Sequence, residues 1–287
     1  DTALAMTLKT IEFAKERQAI PFAVFKPTGL GRLDLYEKVG SKAILTTSEQ
    51  AEWDRVVDRF DLVCKTAHYK DVALLIDAEE SWMQDAADDL VAKMMQKYNK
   101  EKAIVFNTLQ MYRWDRLDYL KQLHERAKQE GFYIGMKLVR GAYMEKENAR
   151  AEEKGYPTPI CPSKEATDVN YDAAVLYMLD HIDSMAIFAG THNELSSYTL
   201  MNLMQERGIK NNDERIWFGQ LYGMSDNISY NLAANRYNVA KYLPFGPVKD
   251  VMPYLIRRAE ENTSVAGQTS RELSMIKAER TRRKSLQ

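Results

Sequence analysis

The chain has 287 residues, of which 45% are hydrophobic and 28% charged, and its formal net charge is -1. That balance belongs to a folded globular protein of one large domain or two ordinary ones, and it leaves no electrostatic footprint for a nucleic-acid partner. Two cysteines, Cys64 and Cys161, argue against a disulfide framework and a cysteine metal cage, and no apolar run approaches the roughly 20 residues of a membrane span.

The chain opens at Asp1 with no signal-peptide pattern, which fits a start part-way into its gene and a cytoplasmic protein of a reducing compartment. Ala3–Gln18 reads as a helix ahead of the first strand, Phe22–Phe25. Leu33–Asp61 is ambiguous: Ala43–Thr46 could be a short extended piece, and Thr47 with Gln50 resembles a capping box. Further strands are expected at Val72–Ile76, Ala103–Phe106, Tyr133–Val139, Met185–Phe188, Ile216–Phe218 and Val239–Leu243. Helical stretches lie between and after them, over Ser81–Tyr98, Arg116–Gln129, Ser163–His181, Glu194–Arg207, Asn227–Ala234 and Val248–Asn262. The acidic run Asp85–Asp89 reads as a solvated helix face, and the basic tail through Arg280, Arg282, Arg283 and Lys284 as a solvated helix end.

Strands alternating with helices imply a parallel sheet, and about seven such units favour a distorted (β/α)8 TIM-type barrel over a Rossmann sheet. No GxGxxG follows a strand, which also counts against the Rossmann reading. The eighth strand is expected upstream of Asp1, so the barrel's first strand reads as missing from the N-terminus.

Active sites of such barrels gather at the C-terminal ends of the strands. Those ends carry Lys26, then Asp77 and Glu79, Asn107 and Gln110, Lys137 and Arg140, Thr191 and His192, Gln220 and Tyr222, and Tyr242. The ring is rich in donors and cations and suits an anionic ligand. In the last helix Tyr254, Arg257, Arg258 and Glu261 share one face, which is either a solvated Arg–Glu face or an anion clamp built from guanidinium forks.

The segments MKLVRGAYMEKE, GTHNE, FGQLYGM, KYLPFGPV and PYLIRRAEENTSV resemble the motif set of the proline dehydrogenases. FKPTGLGR, LLIDAEES and FNTLQMY resemble the same family's earlier motifs, so the match runs in order from Phe22 to Val265, with a tail over 266–287 and one domain in all. The resemblance implies a flavin-dependent barrel that oxidises L-proline to Δ1-pyrroline-5-carboxylate, passing a hydride from proline C5 to N5 of FAD. It assigns the substrate carboxylate to Lys26, Arg257 and Arg258. The walls of the proline site fall to Leu138, Tyr143, Tyr242 and Tyr254. Asp77 is paired with Lys137, which offers a donor near flavin N5. FAD contacts fall to Ala78, Gln110, Lys137, Arg140, Gly141, Ala142, Thr191, His192, Gln220 and Glu261. The family's quinone acceptor implies a peripheral association with a membrane, the matrix face of the inner mitochondrial membrane in a eukaryote. A separate pyrroline-5-carboxylate dehydrogenase would take the product. No metal is expected.

Each residue also has a plainer reading. Lys26 alone could be a surface lysine, His192 a structural histidine, Asp77 a brace for Lys137, and Gln110 an amide satisfying backbone groups. Three other functions stay open at this level: a hydroxyproline dehydrogenase, a Schiff-base aldolase using Lys26, and an inactive barrel that senses flavin or proline.

Overall fold

The computed structural model describes residues 2–244, 248–249, 251–252, 254–256 and 268–285. After α1 (Thr2–Lys15), strand β1 (Phe22–Phe25) leads through a single 3-10 turn at Pro27–Gly29 into α2 (Leu33–Gly40) and α3 (Thr47–Lys70). Alternating units follow: β2 (Ala73–Ile76), α4 (Ser81–Tyr98), β3 (Val105–Gln110), α5 (Arg116–Glu130) and β4 (Ile134–Val139). Two helices, α6 (Met144–Lys154) and α7 (Lys164–Asp180), precede β5 (Met185–Gly190). The series closes with α8 (Glu194–Glu206), β6 (Ile216–Leu221), α9 (Asp226–Ala234) and β7 (Val239–Tyr242), and a further helix covers Gln268–Lys284.

All seven strands are parallel and pair in chain order, β1 through β7. The sheet is curled. The ring of Phe22 on β1 meets Phe106 on β3, Phe188 on β5 and Trp217 on β6 edge-on, at centroid distances of 5.9, 5.1 and 5.1 Å. A strand at one edge of a flat sheet could not touch the third, fifth and sixth members, so these contacts fix a barrel interior. The structure bears out the distorted TIM-type barrel, with seven parallel strands among the described residues.

Period-two alternation divides every strand into two layers. Leu74, Ile76, Val105, Leu109, Ile134, Met136, Leu138, Ile187, Ile216 and Phe218 pack outward against the helices in the main core. Phe22, Val24, Ala73, Leu75, Phe106, Ala186, Phe188, Trp217 and Ala240 face inward and plug the barrel floor. Gly219 belongs to the inward set: a Cβ there would sit 2.2 Å from the Phe188 ring. Continuing the inward parity toward the C-terminal strand ends gives Lys26, Asp77, Thr108, Gln110, Lys137, Val139, Gly190, Leu221 and Tyr242. The floor is apolar and the mouth is polar because the same alternation runs out of the core there.

The ambiguous 33–61 region is two helices. The capping box of α3 sits one residue earlier than the sequence suggested: Thr46 accepts from the Glu49 N–H while the Glu49 side chain accepts from the Thr46 N–H. The acidic face of α4 is not all solvated. Asp88 is buried against Arg116 at 2.7 Å.

Candidate active site

Asp77 stands one residue past β2, on the inward parity, and its backbone N–H donates to Phe25 O, which ties it to β1. Its buried carboxylate collects three side chains. Lys137 Nζ donates to Oδ1 at 2.7 Å, Tyr242 Oη donates to Oδ2 at 3.0 Å, and Lys26 Nζ lies 3.6 Å from Oδ2. These come from β2, β4, β7 and the end of β1, so the curl of the sheet assembles the cluster. The Lys137 ammonium also lies 4.8 Å above the Tyr242 ring.

The electrostatics follow from one anion shared by two cations. Burial opposes the charged form of Asp77, but Lys137 and Lys26, with the bonds from Lys137 and Tyr242, hold its carboxyl below the ordinary carboxylate range. Burial likewise works against charged Lys26, yet the Asp77 carboxylate, with Tyr143 and Glu79 behind it, raises its pKa above that of an ordinary lysine. The Asp77 carboxylate, burial and their hydrogen bond push the Tyr242 phenol well up. Lys137 and Lys26 share the Asp77 carboxylate, and Lys26, with Glu79 behind it, is half-exposed at the edge of the cluster.

These groups open on a cavity of about 1040 Å³ that runs from Lys26 and Tyr143 across the barrel mouth to α8 and α9. Across the cavity from Lys26, Arg140 donates to Asp168 at 2.6 Å, to Thr191 at 2.7 Å and to Ser196 at 3.0 Å, and stacks on Tyr171. Lys164 shares the same Asp168 carboxylate at 2.7 Å, so two cations meet one carboxylate there, and Ser196 donates its own O–H to Asp172. His192 Nδ1 is 3.0 Å from Ser225 Oγ, and Gln220 bridges the Thr191 carbonyl and the Ser229 hydroxyl. Gly141 lies at φ +132° with the Tyr112 ring 2.5 Å from where a Cβ would stand, so the strand-to-helix turn passes closer to its neighbours than any side chain allows.

A cationic, polar barrel mouth is shared by many enzymes, and the choice among them comes from likeness over the whole chain. The profile of the proline dehydrogenase family matches residues 2–271. The chain belongs to the proline dehydrogenase family. It is 41% identical over 241 residues to the human mitochondrial proline dehydrogenase 1, covering 83% of this chain and 40% of that protein. It is 36% identical over 283 residues to a carbapenem antibiotics biosynthesis protein of Pectobacterium carotovorum, covering 99% of this chain and 73% of the relative. A hydroxyproline dehydrogenase of Xenopus laevis is 36% identical over 250 residues, covering 86% of this chain and 54% of that one. The chain thus spans well under two thirds of most of these relatives. The fold superposes on proline utilization A from Bdellovibrio bacteriovorus with a TM-score of 0.80 at 22% identity, over 92% of this chain and 28% of that one.

Within this proline dehydrogenase family fold, the residues singled out in the sequence converge. Lys26, Asp77, Ala78, Gln110, Lys137, Arg140, Gly141, Ala142, Tyr143, Thr191, His192, Gln220, Tyr242 and Tyr254 all line the one cavity. Leu138 does not. It is fully buried on the outer layer, because it neighbours Lys137 on a strand and adjacent strand residues face opposite ways. Val139 and Leu221, each inward by the same parity, are apolar residues that do line the cavity. Arg257, Arg258 and Glu261 lie outside the described residues. Lys164, Ser225 and Phe188 were missed; the parity count would have found Phe188, whereas Lys164 and Ser225 reach the cavity from helix starts that strand counting does not address.

Proposed function

We propose that the chain oxidises L-proline to Δ1-pyrroline-5-carboxylate with FAD as the electron acceptor, the first step of proline catabolism. The observation that carries the proposal is the pairing of two lysines, Lys26 and Lys137, with the single carboxylate of Asp77 at the mouth of a cavity of this size. A half-exposed ammonium suits the carboxylate of an amino acid, and Lys26, at the edge of the cluster, is the lysine placed to offer it. Arg257 and Arg258 complete that clamp on this reading. Tyr242 is held by the bond from its hydroxyl to Asp77, and its ring lies 6.4 Å from that of Tyr254 at an interplanar angle of 30°. The two rings, with Tyr143, wall a space for a small ring, and the bulk of Tyr242 leaves little room for a 4-hydroxyl group.

The cavity suits FAD on two counts. Gln110 Oε1 is buried with no hydrogen-bond partner among the described residues, an acceptor matched to an imide N–H. Arg140 and Lys164, both paired with Asp168 at the cavity wall, offer cationic donors matched to a diphosphate. Thr191, His192, Gln220, Gly141, Ala142 and Ala78, with Glu261, would line the rest of the group. When bound, FAD supplies a two-electron acceptor for the hydride leaving proline C5. The chain's own part is positioning: Lys26 orients the substrate by its carboxylate, Asp77 fixes Lys26, Lys137 and Tyr242 in one arrangement, and burial of Asp77 and Lys137 keeps water from the cluster. A Schiff-base role for Lys26 loses its support, since an ammonium held by Asp77 is a poor nucleophile.

On the same reading electrons pass to a quinone, at a membrane surface in the cytoplasm or the mitochondrial matrix, and a separate pyrroline-5-carboxylate dehydrogenase takes the product. No described helix is long and apolar enough to cross a membrane. The test is product formation with an artificial acceptor, the pyrroline being trapped by o-aminobenzaldehyde. Lys26→Met should raise KM for proline about tenfold or more, the order expected for a lost charge-assisted bond. A variant that keeps its KM would remove Lys26 from the substrate site.

A further inference from the structure

The amide of Gln110 is oriented from behind. Its Nε2 donates to the carbonyl oxygen of Glu79 at 2.6 Å. A carbonyl only accepts, so the nitrogen must face Glu79 and Oε1 must face away from it. The Glu79 main chain is itself held: its N–H donates to Gln84 Oε1 at 2.9 Å. Gln84 is oriented in turn, because its Nε2 donates to Asp88 Oδ1 at 2.8 Å. Asp88 also accepts from Asn107 Nδ2 at 2.8 Å and from Arg116 Nη1 at 2.7 Å. Gln84, Asp88 and Arg116 are 3%, 2% and 5% exposed, and none of them is among the residues lining the cavity.

Donor and acceptor alternate along this chain without a choice at any link. The Asp88 carboxylate, paired with Arg116, accepts from the Gln84 NH2; that turns the Gln84 oxygen to the Glu79 N–H, and the Glu79 backbone, anchored there, presents its carbonyl to Gln110. We propose that Gln84 is a positioning residue, which through the Glu79 main chain sets the Gln110 carbonyl oxygen to receive the imide N–H of the cofactor. The inference rests on the FAD reading above. It assigns a role in the cofactor site to a side chain on α4 that does not touch the cavity.

The test is FAD titration of the whole chain, followed by fluorescence and by the position of the long-wavelength flavin band. The chains compared are wild type, Gln84→Met, Gln84→Glu, Gln110→Leu and the Gln84→Met/Gln110→Leu double variant. Gln84→Met should weaken FAD about fivefold to tenfold, the worth of one hydrogen bond, and move the band. In the Gln110→Leu background the same change should matter less than about twofold, because its effect runs through Gln110. Gln84→Glu should bind within about twofold of wild type: burial favours the neutral acid, whose O–H replaces the bond to Asp88 while its carbonyl still accepts from Glu79. Should Gln84→Met fail to fold, Gln84→Asn, one methylene shorter and out of reach of both partners, takes its place in the cycle. Equal weakening in both backgrounds, or wild-type binding and band position in Gln84→Met, overturns the inference alone. A wild-type chain that binds no FAD overturns the flavin reading and this inference with it.

Discussion

Replacing Asp77 by asparagine removes the one carboxylate that Lys26 and Lys137 share while keeping its shape. The single oxygen of asparagine can still accept from Lys137, as Asp77 does at 2.7 Å, while its NH2 takes the place of the oxygen that accepts from Tyr242 at 3.0 Å and can only donate to that hydroxyl. What disappears is the counter-charge for a buried ammonium. Breaking a buried ion pair costs about 3–5 kcal/mol, and retained hydrogen bonding reduces this to about 2–3 kcal/mol. For a chain of this size that corresponds to a fall in Tm of roughly 5–10 °C. The pH dependence carries a second signature. In the wild type the Lys26 pKa is raised above the free value of about 10.4, so its contribution is complete below that pH and is lost as pH rises through the folded value. In the variant the attraction of Asp77 is gone, and burial, which lowers the pKa, is opposed only by Tyr143 and Glu79. The unfolded chain then holds the proton more tightly, so the variant gains stability as pH approaches the free value. Thermal melts of both proteins at pH 7 and pH 10 should show the deficit of Asp77→Asn narrowing at the higher pH. A deficit under about 1 °C at pH 7, or one that stays constant between the two, would refute the shared-carboxylate argument.

Gly141→Ala places a Cβ on the Tyr112 ring at a backbone angle that L residues avoid; it should cost about 3 kcal/mol in urea denaturation and weaken FAD retention. Glu147 is buried and accepts from Ser81 N at 2.7 Å and Ser81 Oγ at 2.5 Å, fastening α6, which follows Tyr143, to the start of α4. Glu147→Ala should therefore destabilise by about 2 kcal/mol and raise KM for proline, whereas an unchanged KM would show that α6 does not set Tyr143. Burial, with His181 and Lys128 beside it, holds the His124 pKa below the ordinary histidine value. The unfolded chain then binds the extra proton first, so stability is lost as pH falls below about 6.5. His124→Gln should show a smaller loss between pH 7.5 and 5.5 than the wild type, measured by chemical denaturation.

Much of the barrel was legible because alternating βα units print two different periods along one chain, and all seven expected strands occur. Lys26 and Asp77 could be read as site residues because each ends an apolar run, where a barrel strand leaves its core, and Lys137 because it interrupts the apolar run of β4. Leu138 was assigned to the proline wall by the family resemblance, whereas strand alternation beside Lys137 sends it to the other face. Asp88 was hidden among Asp85 and Asp89: the sequence shows the charge, but only the packing of α4 on α5 shows that one carboxylate turns inward to Arg116. Helix α6, MEKENARAEEK, escaped notice because it lacks an apolar stripe; just Glu147 and Ala151, four apart, are buried along it. Its docking is polar, through Lys146 to Glu80 and Arg150 to Glu37, which hydrophobic periodicity does not register.

The decisive measurement is anaerobic titration of the FAD-loaded chain with L-proline, following the flavin absorbance near ~450 nm. Bleaching by proline, with trans-4-hydroxyproline much less effective, is the expected result and ties Lys26, Asp77, Lys137 and Tyr242 to one reaction. A bound flavin that stays oxidised in saturating proline would contradict it.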